Sequence, residues 1–103
     1  MRNITPKQAH AAYDILVRLA GASDHRDARD EFVYHVAHVY RPATEFRFGG
    51  SLGWGGKFRN NGNCNDTPHV TCYREHETPE RVAAIVNVNT ALAALFGEEP
   101  PCP

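Results

Sequence analysis

Along this chain hydrophobic residues first recur at three- and four-residue intervals, then alternate, and then return to the helical period. Ala9, Ala12, Tyr13, Leu16 and Ala20 share one face of a helix, with Leu19 on its flank. Thr5 followed by Pro6 and Gln8 is a capping-box start and Gly21 is a stop, so the spacing predicts a first helix over about 5–20. A second start falls at Ser23 or Asp24, with Asp27 in the first turn, where the helix dipole favours negative charge. Ala28, Phe32, Val36, Val39 and Tyr40 form its apolar stripe, and Pro42 ends it.

From Ala43 the period changes to two. In Thr44-Glu45-Phe46-Arg47-Phe48 the aromatic residues share one face and the charged residues the other, the pattern of a half-buried strand. The glycine-dense run 49–56, which also holds Leu52 and Trp54, bends the chain, and Gly56-Lys57-Phe58-Arg59 returns with Phe58 inward. Asn61-Gly62 opens a polar turn, after which His69-Val70-Thr71-Cys72-Tyr73-Arg74 alternates again with Val70 and Cys72 inward. Thr78-Pro79 starts a last helix ending at Gly97, with Val82, Ile85, Val86, Leu92, Ala93 and Phe96 on one face and Asn89 on the same stripe. On that stripe Asn89 is read as a hydrogen-bonding core residue or the edge of the apolar face, not as a catalytic amide.

The order predicts an α+β fold: two N-terminal helices, a three-stranded antiparallel meander with the Phe58 strand in the middle, and a C-terminal helix, the helices packed on one face of the sheet. Residues 1–97 form one domain and 98–103 a frayed, proline-rich tail. The other sheet face then carries Glu45, Arg47, Lys57, Arg59, Thr71 and Tyr73.

Composition adds constraints. The 103 residues are 42% hydrophobic and 22% charged with a net charge of −1, so no global charge draws the chain to nucleic acid or membrane and any electrostatic partner must meet a local patch. With no apolar signal core and no apolar run of membrane-spanning length, a cytoplasmic protein is expected. An odd set of cysteines, Cys64, Cys72 and Cys102, argues for reduced thiols, a Cys64–Cys72 bridge across a hairpin being the alternative.

Several chemical patterns fail on inspection. Gly49-Gly50-Ser51-Leu52-Gly53 matches the G-x-S-x-G nucleophile turn, but here it joins two strands and no parallel sheet holds a histidine and an acid. A phosphate loop ending on Gly56-Lys57 would start on Ser51 and place Phe58 where a hydroxyl must bind magnesium, and a dinucleotide turn would need glycine at Phe58. Cys64, His69, Cys72 and His76 are all metal-binding types, yet their spacing fits no common zinc finger and His69 and Cys72 point to opposite faces of a strand. His35 and His38 read as a solvated flank, as do Asp24, Arg26, Asp27, Arg29, Asp30 and Glu31. No catalytic residue, cofactor or metal is therefore assigned.

What survives is the cationic sheet face with its loop. Arg47, Lys57 and Arg59, interleaved with Trp54, Leu52 and Tyr73, are the residue types enriched at protein-protein hot spots. The same residues suit single-stranded nucleic acid, although Gly56-Lys57-Phe58-Arg59 does not match the core RNA-recognition motif. The segment 45–59, with Cys72-Tyr73-Arg74-Glu75 and Glu77-Thr78-Pro79-Glu80-Arg81, resembles small orphan proteins encoded by bacteriophages and prophages. That resemblance implies a non-enzymatic protein that occludes a host protein, for example a defence-system inhibitor such as an anti-CRISPR protein. A single-stranded nucleic-acid module and a small metal-binding protein are the alternatives, and the edge strand at 44–48 could pair two copies into a homodimer.

Overall fold

A computed structural model describes residues 4–38, 44–49, 55–60 and 66–97. Helix α1 (Pro6–Ala20) is followed by α2 (Arg26–Val33), a π-helical turn (Tyr34–His38), strands β1 (Thr44–Phe48), β2 (Gly56–Asn60) and β3 (His69–Cys72), a 3-10 turn (Arg74–His76) and helix α3 (Pro79–Gly97). The fold is α+β, and the sheet is an antiparallel meander in the order β1-β2-β3, with β2 central as predicted.

Local chemistry sets most boundaries. The Thr5 hydroxyl accepts from the Gln8 N–H at 3.1 Å while the Gln8 side chain accepts from the Thr5 N–H at 3.0 Å, completing the capping box. Gly21 closes α1 in the left-handed conformation at φ 68°, which a side chain would disfavour. The second helix starts later than the sequence suggests. His25 caps it, its Nδ1 accepting from the Asp27 N–H at 3.2 Å, and the Ser23 hydroxyl instead accepts from the His25 N–H.

Its far end also differs: regular α geometry stops at Val33 and the chain widens into the π turn. Packing holds that turn in place, with Phe32 and Val36 buried and the His35 ring 5.5 Å from Phe46, and a hydrophobic period cannot separate a π turn from an α turn. The expected contributions of Val39, Tyr40 and Pro42 lie outside the described residues. The third strand ends at Cys72, two residues short of expectation, because Arg74–His76 tightens into the 3-10 turn.

The core lies between the helices and one sheet face. Phe32 is its centre, with Phe58 at 5.1 Å and Phe46 at 5.2 Å both edge-on and Tyr13 at 5.2 Å tilted against it. Helix α3 supplies Val88, Leu92 and Phe96, all buried. The predicted stripe of that helix is therefore rotated: Val82, Val86 and Ala93 face outward, while Ala84, Ile85, Ala91 and Leu95 are the partly buried flank. No charged residue separates Arg81 from Glu98, so the sequence holds little polar contrast by which to orient the helix.

Asn89 decides the orientation. Its Oδ1 accepts from the Val70 N–H at 2.7 Å and its Nδ2 donates to the Val70 carbonyl at 3.0 Å. One side-chain amide thus imitates a fourth strand at the outer edge of β3. The sequence-level reading of Asn89 as a hydrogen-bonding core residue holds, and its partner is the sheet edge.

Candidate functional site

Strand alternation sends Phe46, Phe48, Phe58 and Val70 toward the core, so Glu45, Arg47, Lys57, Arg59, His69 and Thr71 stand on the opposite face. Register arranges them in two cross-strand rows. One reads Arg47–Lys57–Thr71 and the other Glu45–Arg59–His69. Tyr73 follows at the end of β3, half-buried, its ring edge-on to His76 at 5.6 Å and 5.9 Å from the Lys57 Nζ.

Glu45 is the hub of this face. Its carboxylate lies 3.4 Å from the Arg59 Nε, 3.7 Å from the Lys57 Nζ and 4.0 Å from the Arg47 Nε. Three cations share one anion, which leaves the group with a net charge of +2. Each pair is solvent-accessible and contributes at most about 1 kcal/mol, so the arrangement serves to display charge more than to hold the fold. Arg47 is the loosest member, its side chain 71% exposed. A shallow, largely polar recess of about 400 Å³ opens between these cations and Thr71, Tyr73, Arg74 and Glu75.

Of the six partner-binding residues expected from sequence, Arg47, Lys57, Arg59 and Tyr73 come together on this surface. Leu52 and Trp54 lie outside the described residues, as does Ser51 of the G-x-S-x-G pattern. The glycines bounding that run are described, and close approach explains two of them. A Cβ on Gly55 would meet the Phe48 carbonyl oxygen at 2.6 Å, and one on Gly56 the Thr71 carbonyl oxygen at 2.7 Å. Among the described residues only Gly21 has positive φ, so Gly55 and Gly56 are required by space and not by turn geometry.

Other candidates disperse. His76 Nδ1 accepts from the Gly55 N–H at 3.4 Å, His69 lies on the charged face, and Cys72 carries a free thiol whose pKa is pushed up by burial and by nearby Glu77. Among the described residues no three histidine, cysteine or acidic side chains converge as metal ligands, and Cys64 lies outside them. His35 and His38 part company, the first half-buried against Phe46 and the second stacked on Tyr34 at 6.1 Å.

The expected solvated charge face of α2 also needs correction at Arg29. This side chain is mostly buried, pairs with Asp14 at 2.6 Å, and lies 5.2 Å from the centre of the Tyr13 ring, clamping α2 to α1. Sequence reasoning weighed His69 as a metal ligand but left it out of the charged face, and it missed the hub role of Glu45. The alternation already placed His69 beside Thr71, but cross-strand register was needed to show what Glu45 reaches. Among the described residues no helix is long and apolar enough to cross a membrane. No family model matches the chain, and no curated protein or solved structure matches it either.

Proposed function

We propose that this is a small, non-catalytic, cytoplasmic binding protein of phage or prophage origin that occludes an acidic surface of a host protein, in the manner of a defence-system inhibitor such as an anti-CRISPR protein. The observation that carries the reading is the single carboxylate of Glu45 shared by Arg47, Lys57 and Arg59, which leaves excess positive charge on a sheet face opposite the core. Partner carboxylates arriving there meet cations already held by the strands, which favours rapid, oriented encounter. Leu52 and Trp54, which fall between β1 and β2 in the sequence, are taken as the apolar anchor of this reading.

A protein partner is favoured over single-stranded nucleic acid because the described residues of the face offer little to stack upon. Phe46, Phe48 and Phe58 all point to the core, and Tyr73 is half-buried against His76. The test is capture of partners from bacterial lysate by tagged wild-type protein and by the Trp54→Ala/Lys57→Glu double variant, with circular dichroism confirming that the variant folds. Loss of the captured protein in the variant supports the reading, and undiminished capture by the folded variant removes this surface. Retention on single-stranded DNA that falls steeply with salt would transfer the assignment to nucleic acid.

A further inference from the structure

The Asn89 amide fixes which way every peptide group in the sheet points. Both polar backbone groups of Val70 are turned outward to Asn89, so Val70 and its cross-strand neighbour Phe58 are a non-hydrogen-bonded pair. The peptide groups of Phe58 must then turn to β1 and exchange bonds with its partner there, Phe46. It follows that the N–H and C=O groups of Glu45 and Arg47 point away from the sheet, along the outer edge of β1. No described residue bonds to them. One edge of the sheet is capped by Asn89, and the other has two donors and two acceptors in a row that no described residue covers.

We infer that this edge pairs with the same edge of a second copy of the chain, antiparallel about a two-fold axis through Phe46, to form a continuous six-stranded sheet. Charge selects both the occupant and the register. With Phe46 opposite its own copy, Glu45 faces Arg47 of the second chain and Arg47 faces its Glu45, giving two opposite-charge pairs and four backbone hydrogen bonds by symmetry. The neighbouring registers that keep the bonds would oppose Glu45 to Glu45 or Arg47 to Arg47, which like-charge repulsion disfavours. The central pair is non-hydrogen-bonded, where side chains approach most closely, and half-buried Phe46 would cover itself against its copy. The core-facing side of the edge has room for this contact: a recess of about 450 Å³, lined by Tyr13, Ala28, Phe46 and Phe48 together with the charged Glu31 and Arg47, runs beside it. The inference shares Glu45 and Arg47 with the proposed host-binding face but does not rest on that reading, since self-association of the purified chain is measured with no host protein present.

The experiment is sedimentation of the full chain over roughly 1 to 500 µM, with Arg47→Glu, Arg47→Lys and Arg47→Pro alongside. Arg47→Glu places like charges opposite each other twice and should weaken the dimer by about tenfold or more, while Arg47→Lys keeps it. Arg47→Pro deletes an outward N–H that bonds nothing within β1 and β2, so it should abolish the dimer and leave a folded monomer by circular dichroism. Amide exchange at Glu45 and Arg47 should slow as concentration rises in the wild type and stay fast in Arg47→Pro. A wild-type monomer throughout the range overturns the inference, as does a dimer indifferent to Arg47→Glu and Arg47→Pro.

Discussion

Replacing Asn89 by alanine removes two hydrogen bonds whose other ends cannot follow. Val70 is 1% exposed, and among the described residues its N–H and C=O are held on that side of β3 by the Asn89 amide. Each orphaned buried group costs about 1–3 kcal/mol, so with some water entering beside the part-buried amide the loss is about 2–4 kcal/mol. For a domain of this size that lowers Tm by roughly 10–25 °C. Urea unfolding followed by circular dichroism measures the loss, and amide exchange at Val70 localises it to the β3 edge.

A second variant separates the donor from the acceptor. Asn89→Asp keeps an oxygen for the Val70 N–H but sets a carboxylate oxygen against the Val70 carbonyl, so at neutral pH it should be destabilised comparably. Only the protonated acid can donate to that carbonyl, which raises the folded-state pKa above its ordinary value of about 3.9. The stabilisation from the neutral acid is then fully present below the unfolded pKa and lost as pH rises through the folded one, so Asn89→Asp should regain stability relative to wild type on acidification. An Asn89→Ala protein within about 0.5 kcal/mol of wild type, the range of an ordinary surface change, would refute the edge-capping role.

Burial raises the pKa of Tyr13 above its ordinary 10.0, with Arg29 opposing and Asp24 adding to the shift, and its hydroxyl donates to the Ser23 carbonyl at 2.6 Å. The neutral phenol is the form the fold favours, so its contribution is complete below pH 10 and lost as pH rises through the raised value; Tyr13→Phe should flatten the fall in urea midpoint expected above that pH. Gly55→Ala should cost about 1–3 kcal/mol in urea unfolding, because its Cβ would sit 2.6 Å from a backbone oxygen that cannot rotate away, and an unchanged midpoint would contradict that close approach. In a Cys64→Ser/Cys102→Ser background, Cys72 should alkylate at pH 8 more slowly folded than in urea, since burial disfavours its thiolate; equal rates would contradict the raised pKa.

Local signals were legible wherever chemistry acts over a few residues. The capping box of Thr5 and Gln8, the Gly21 stop and the alternation 44–48 appear in the structure where the sequence puts them. Those features depend on backbone geometry within one or two turns, and a short sequence carries that information in full. The cationic face was legible for the same reason, because strand alternation places Arg47, Lys57 and Arg59 together once the strands pair.

Tertiary structure alone decided what distant residues do to one another. Glu45 and Arg59 are separated by the glycine run, and only the antiparallel register makes one carboxylate the hub of three cations. Arg29 reads as one charge in a solvated series until α1 brings Asp14 and Tyr13 beneath it. Helix α3 shows the limit most plainly. With no charge from Val82 to Gly97 its own pattern scarcely prefers a face, so Val88, Leu92 and Phe96 are buried, and Val86 is left outside, by the one polar side chain that must reach the open edge of β3.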